Sequence, residues 1–173
     1  MFESLYLAYA REGLANERSA IELLRKYIDW VEGFELLGKE LHLRSVSGKR
    51  VSIYELSDGH RVAAFMALLY AIARQPSTVL VDTPEAFVHP DGLTVVADFI
   101  ASLAASGSQV IVATQSIEFL RGLLRRARER GVLDSTSVQR LAISRDGVAR
   151  TVARWSGEAS LSSIEELGAD LRK

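Results

Sequence analysis

Thr78-Val79-Leu80-Val81-Asp82-Thr83-Pro84-Glu85 is an apolar run that ends in a carboxylate, then a proline and a second carboxylate. The run is bounded by Gln75-Pro76-Ser77 before it and Pro84 after it. That pattern predicts a strand buried on both faces within a parallel sheet. Ligands of such sheets bind beyond the carboxyl ends of the strands, which is where Asp82 falls. A carboxylate there can hold a hydrated magnesium ion. It can also do no more than cap the loop that follows.

Downstream, Val110-Ile111-Val112-Ala113-Thr114-Gln115-Ser116 is another apolar run with a polar end. It is expected beside the first strand. Gln115 can donate and accept hydrogen bonds but cannot shuttle a proton as histidine can. Ser116 suits a helix cap, with Glu118 in the first turn. Leu93, Val96, Ile100 and Leu103 form a helical stripe between the two runs, ending at Ser106-Gly107, and Ile117, Leu120, Leu124 and Ala127 form another after them. Strands alternating with helices predict an α/β layered sheet with right-handed crossovers.

Upstream lies Leu56-Ser57-Asp58-Gly59-His60-Arg61, followed by an apolar stretch from Val62 to Ala73. That stretch predicts a helix covered on both sides. Ser57 can cap it, and Gly59 leaves room for close backbone approach. The free N–H groups at the positive helix end would suit a phosphate. The same residues also describe an ordinary capped helix.

Farther out, Ala20, Leu24, Tyr27, Ile28 and Val31 predict a long amphipathic helix near residues 15–36, with Gly38 as its stop. Glu40–Val46 and Arg50–Tyr54, joined through Ser47-Gly48-Lys49, predict a hairpin. Val138–Ile143 and Val148–Ala153, joined through Asp146-Gly147, predict a second, with a short helix over 160–167 after it. One domain suffices for residues 1–173, with 1–37 as a helical lead-in and 38–173 carrying the motifs.

Composition narrows the partners. The net charge of -1 favours neither nucleic acid nor an acidic partner in bulk. The absence of cysteine excludes disulfides, thiol catalysis and cysteine-based zinc sites, and makes a cytoplasmic home the simplest. No leader pattern opens the chain, and Val62 to Ala73 falls short of a bilayer span, so no membrane role is expected. Arg121, Arg125, Arg126, Arg128 and Arg130 crowd one segment. They read as a nucleic-acid patch or, as the commoner case, the solvated end of a helix where cations suit the dipole.

Taken in order, Leu56–Arg61, then Asp82-Thr83-Pro84-Glu85 with Val88-His89-Pro90, then Thr114-Gln115-Ser116 resemble the C-terminal lobe of ABC-type ATPases. The SMC-like, OLD-like and AAA-domain ATPases of prokaryotes are the most similar. Their pattern is a signature L-S-x-G-x-R, a Walker B D-E-P-E-x-x-L-H-P, and a strand ending T-H-S. The likeness runs from about Leu36 to Leu171, and Leu167-Gly168-Ala169-Asp170-Leu171-Arg172 is also in the family's style. It implies a mainly parallel sheet flanked by helices, a P-loop NTPase-like half domain with β-hairpins. In the family, a head-to-head dimer sandwiches ATP between the Walker A loop of one subunit and the signature of the other. By that resemblance Ser57, Asp58 and Gly59 act on a nucleotide held by a partner, Gln115 stands at the switch position, and Asp82 assists a magnesium ion.

The chain also departs from the pattern. It contains no G-x-x-x-x-G-K-[ST], since neither Gly38-Lys39 nor Gly48-Lys49 is followed by Ser or Thr. Thr83 occupies the place of the catalytic glutamate and cannot serve as a general base at neutral pH. Gln115 replaces the switch histidine. Glu85 matches the second glutamate of the pattern and is not assigned as a base, so no catalytic residue is assigned. ATP and magnesium are expected only if a partner completes the site. The protein partners expected are a P-loop-bearing protein, which would complete the site, or other copies of the chain in a homo-oligomer. The alternatives are a protein-interaction domain that binds no nucleotide and a piece of a longer ATPase.

Overall fold

The computed structural model describes residues 16–73, 77–86, 88–166, 168, 170 and 171. The start of the chain, the Gln75-Pro76 break and half of the terminal Leu167–Arg172 motif lie outside the described residues.

The expected helix over 15–36 is cut short. Helix α1 spans Glu17–Leu24, and the N–H groups of Tyr27 and Ile28 close a turn on the Leu24 carbonyl at 3.0 and 2.9 Å. The chain then extends as β1 (Val31–Leu37), which pairs antiparallel with β2 (Glu40–Ser45). Ala20, Leu24, Ile28 and Val31 are all buried, so the apolar stripe is real, but a helix, a turn and a strand share it. Spacing alone cannot separate these cases. The ladder with β2 decides for a strand, because it satisfies backbone groups that a helix would otherwise satisfy. Gly38 is not a helix stop: it opens the two-residue turn between β1 and β2, at φ 64°.

β2 continues the meander into β3 (Arg50–Ser52), as the hairpin pattern predicts. Ser52 then caps a 3-10 turn over Ile53–Glu55: its hydroxyl accepts from Tyr54 N–H at 3.1 Å, and Glu55 accepts from Ser52 N–H at 3.3 Å. This capping box aims the chain into helix α2 (Asp58–Ile72). Ala63, Ala64, Ala67 and Ala71 are buried on α2, which packs against α1 on one side and helix α3 (Pro90–Ala105) on the other. A helix apolar on most faces needs both neighbours.

β4 (Thr78–Asp82), α3, β5 (Gln109–Ala113) and helix α4 (Ile117–Glu129) follow as a crossover unit. β4 and β5 pair in parallel, with Thr78 opposite Gln109 and Asp82 opposite Ala113. β6 (Ser137–Ile143) and β7 (Ala149–Ser156) form the closing hairpin, and helix α5 (Gly157–Glu166) folds back on α4.

Two expectations are corrected here. Among the described residues the sheets are not mainly parallel: one strand pair is parallel and the others are antiparallel. Hairpins close through short turns, whereas a parallel pair needs a crossover helix, and only the β4–α3–β5 segment supplies one. Nor are β4 and β5 buried on both faces. Val79 is buried, but Leu80 and Ile111 are 74% and 53% exposed on the opposite face.

The main core joins α1, the β1–β2 hairpin, α2, α3 and Phe119 of α4. A smaller cluster of Ile117, Leu124, Leu133, Leu161 and Ile164 holds α5 against α4. Phe99 and Phe119 are fully buried. Asp98 lies beside this core on α3, with its side chain 4% exposed, and pairs with Lys26 Nζ at 3.0 Å and Arg130 Nη2 at 2.7 Å. One carboxylate thus ties the α1–β1 turn to the end of α4.

Candidate nucleotide-site residues

The Asp82 and Gln115 ends come together as the pattern predicts. Thr83 N–H donates to the Ala113 carbonyl at 2.8 Å, the last rung of the parallel ladder. Asp82 is exposed at the strand's carboxyl edge, and its Oδ1 accepts the Thr83 hydroxyl at 3.0 Å. Thr83 sits at φ 49°, left-handed backbone that a β-branched residue adopts only under strain.

The loop then turns through Ala86 N–H to the Thr83 carbonyl at 3.0 Å, with Pro84 buried, and brings Glu85 across to the end of β5. Glu85 Oε1 accepts the Thr114 hydroxyl at 2.6 Å and the N–H groups of Gln115 and Ser116 at 3.0 and 3.2 Å. Burial by itself would raise the Glu85 pKa, but the Thr114 hydroxyl and these N–H groups outweigh it and hold the carboxyl below its ordinary value. Ser116 caps α4, its hydroxyl accepting from Phe119 N–H at 3.1 Å.

The sequence reading left Glu85 without a role. The signal available for it was a second carboxylate placed just past a proline, opposite a Thr-x-Ser strand end. Its length of reach became visible only with both loops in place.

Ser57, Asp58 and Gly59 stand apart from Asp82 and Gln115, at the start of α2. Ser57 and Asp58 are exposed and Gly59 is half-buried. The Ser57 hydroxyl accepts from His60 N–H at 3.4 Å, while the first-turn N–H groups of Asp58 and Gly59 have no acceptor within the helix. Arg61 folds back over the turn, its Nη2 lying 3.3 Å from both the Leu56 carbonyl and Asp58 Oδ1. A Cβ added at Gly59 meets nothing within 4 Å, and the residue's backbone is not left-handed. The fold itself therefore does not require glycine there.

Gly33-Phe34-Glu35-Leu36-Leu37-Gly38-Lys39 has the glycine and lysine spacing of a phosphate loop, followed by Glu40. The structure places it in strand β1 and its turn, with Phe34 laddered to Leu43 and Leu37 to Glu40. Its backbone is thus committed to a hairpin, not to an anion cradle before a helix.

The arginine cluster is largely neutralised. Arg125 pairs with Glu165 at 2.6 Å, Arg126 with Glu129 at 2.5 Å, Arg128 with Glu158 at 3.0 Å, and Arg130 with buried Asp98 at 2.7 Å. This arrangement fits the helix-end reading over a nucleic-acid patch. Among the described residues no cluster of three His, Cys, Asp or Glu side chains suits a metal ion, and no helix is long and apolar enough to cross a membrane. Asp82 alone fits magnesium of the kind held by one carboxylate with water and substrate phosphates supplying the rest.

Comparison with known proteins defines the class. A family model described as "AAA domain, putative AbiEii toxin, Type IV TA system" matches residues 22–121, more than half of the chain. The fold is that of SMC ATPase heads. A structure from work on ATP-driven dimerization and DNA-stimulated activation of SMC ATPases superposes with TM-score 0.58 at 19% identity, covering 98% of this chain and 96% of that one. An Smc head bound to the C-terminal winged-helix domain of ScpA gives 0.61 at 19% identity, and a Pyrococcus furiosus Smc head bound to the C-terminal domain of ScpA gives 0.59 at 17%. This chain is covered to 86% and 90% in these two, but spans only 44% and 38% of their lengths. No curated protein matches. The chain belongs to that AAA-domain family, and its fold resembles that of SMC ATPase heads.

Proposed function

We propose that this chain is the signature- and Walker B-bearing lobe of a two-lobe ATPase, inactive alone and completed by a P-loop-bearing lobe. That lobe belongs to a partner chain or to additional sequence of the same protein. The observation that carries the reading is the open parallel pair. Among the described residues β4 and β5 pair only with each other, and Leu80 and Ile111 face outward as bare apolar side chains. A lone two-stranded sheet is marginal in water, and exposed apolar faces mark interaction surfaces. A further lobe laid on this face, with its phosphate loop beside Asp82, satisfies both.

In this reading Ser57, Asp58 and Gly59 present a helix N-terminus to a nucleotide gripped across an interface. Gly59 supports it: it stands in the first turn of α2, where no neighbour demands glycine. The space is kept for a body outside the lobe. Asp82 would hold the hydrated magnesium ion through its second oxygen, the first being taken by the Thr83 hydroxyl. Bound ATP and magnesium would supply the phosphoanhydride and the charge that neutralises it. Gln115 would orient by hydrogen bonding without transferring a proton.

A second reading, an interaction domain that binds no nucleotide, is favoured by Thr83 at the position of the catalytic glutamate. Calorimetry with Mg-ATP and a phosphate-release assay on the isolated chain should show neither micromolar binding nor turnover. A P-loop lobe encoded beside this chain's gene should then associate with it only when ATP is present, and Gly59→Trp should abolish that association. Equal association without ATP establishes the second reading instead.

A further inference from the structure

β4 and β5 stop laddering at Thr83 and Ala113, and beyond that rung a side chain ties the two loops together. Three donors converge on a single oxygen of Glu85, from Thr114, Gln115 and Ser116. Its other oxygen is buried and has no hydrogen-bond partner. Three donors crowd one oxygen, which favours the ionised carboxylate through its charge, and such charge-assisted bonds are the strong ones. The side chain reaches across from a turn in which Thr83 sits at φ 49°. Ser116 also caps α4, so whatever holds Ser116 holds the start of that helix.

We propose that Glu85 is a positioning residue: its carboxylate straps the loop after β5 to the loop after β4, and so sets where Gln115 stands relative to Asp82. The relevance of that spacing to a nucleotide rests on the reading above, but the strap itself needs neither nucleotide nor partner. Glu85 acts through the backbone of Gln115 and Ser116. Its buried free oxygen has no access to solvent, so it is not offered as a base.

The test is amide NMR and hydrogen exchange on the full chain, without ligand. In the wild type, the Gln115 and Ser116 amide signals should titrate with a carboxyl below the ordinary glutamate value of 4.5. Glu118, which accepts from the Ser116 hydroxyl at 3.1 Å, and Asp82 are other titrating groups on these loops, so the assignment rests on Glu85→Gln. That variant should abolish the Gln115 titration and speed exchange at Gln115 by about tenfold or more, and at Ser116 by less because its N–H also donates to the Thr114 hydroxyl at 3.0 Å, leaving Val110 and Val112 as slow as before. Thr114→Val, which removes the hydroxyl that accepts the Ser116 N–H and donates to Glu85, should speed exchange at Ser116 more than at Gln115. Three results overturn the proposal: no titration at Gln115 in the wild type, unchanged exchange in Glu85→Gln, or uniform acceleration along β4 and β5. The last would make Glu85 a plain sheet-stabilising residue. These outcomes count against Glu85 alone, whereas wild-type chain that never associates with a P-loop lobe counts against the proposed function.

Discussion

Replacing Asp98 with asparagine should destabilise the fold by about 2 kcal/mol at neutral pH. Removing one partner of a fully buried ion pair costs about 3–5 kcal/mol, because it strands the opposite charge. Here the stranded charges are not fully buried. Lys26 is 54% exposed and Arg130 is 34% exposed, so both can turn to water when the carboxylate is gone, and the figure is discounted accordingly. Asparagine keeps the volume, so no cavity adds to the cost. For a chain of this size each kcal/mol moves the melting temperature by about 2–4 °C, giving a drop of about 4–8 °C. Burial alone would raise the Asp98 pKa, but hydrogen bonds from Arg130 and Lys26 hold it below the ordinary 3.8. Because the folded-state pKa is depressed, the stabilisation is complete above the unfolded value and disappears as pH falls through the folded one. The wild-type advantage should therefore be full at pH 7 and vanish only below about pH 3.8. Thermal and urea unfolding of both proteins across pH measures this. An asparagine variant that melts with the wild type at pH 7, or a gap that survives acid, refutes the account of Asp98 as an ionic tie between the α1–β1 turn and α4.

Gly59→Ala should leave the isolated chain folded with an unchanged or slightly higher urea midpoint, while weakening ATP-dependent association. Gly122→Ala, in the interior of α4 with open space at its Cβ, should stabilise by up to about 0.5–1 kcal/mol and leave association untouched. Leu80→Ser with Ile111→Thr should change stability by no more than about 0.5 kcal/mol, since both side chains already face water, yet reduce binding of a P-loop lobe in a pull-down. Phe119→Ala should cost about 3–5 kcal/mol in urea unfolding, because the ring is fully buried in the main core.

Much of this chain is legible residue by residue. The β4–α3–β5–α4 order, the β2–β3 and β6–β7 hairpins and the start of α2 at Ser57 all follow from local signals: apolar runs, turn residues and caps. The alignment of Asp82 with the end of β5 follows as well, because a crossover helix between two apolar runs leaves parallel pairing as the natural outcome. Local chemistry is enough wherever one segment's own residues satisfy its backbone.

Other features depended on partners distant in sequence. Val31 falls within the helix that spacing predicts over 15–36, yet it opens a strand, because β2 offers it a ladder. Gly33–Lys39 has the spacing of a phosphate loop and is a hairpin, for the same reason. Leu80 and Ile111 look like core residues and lie bare, since what covers a sheet face is set by other elements and not by the strand itself. The arginines of α4 look like a binding patch until Glu158, Glu165 and Asp98 are seen beside them. The sequence marks Glu85 only as a second carboxylate just past a proline. Its role appears only when the turn at Thr83 delivers its carboxylate to three donors from another strand. Composition and spacing determined which elements form and what chemistry they carry. The tertiary structure alone decided which charges are matched, which apolar faces stay open and which carboxylate joins the two loops, because those depend on groups brought together from far apart in the chain.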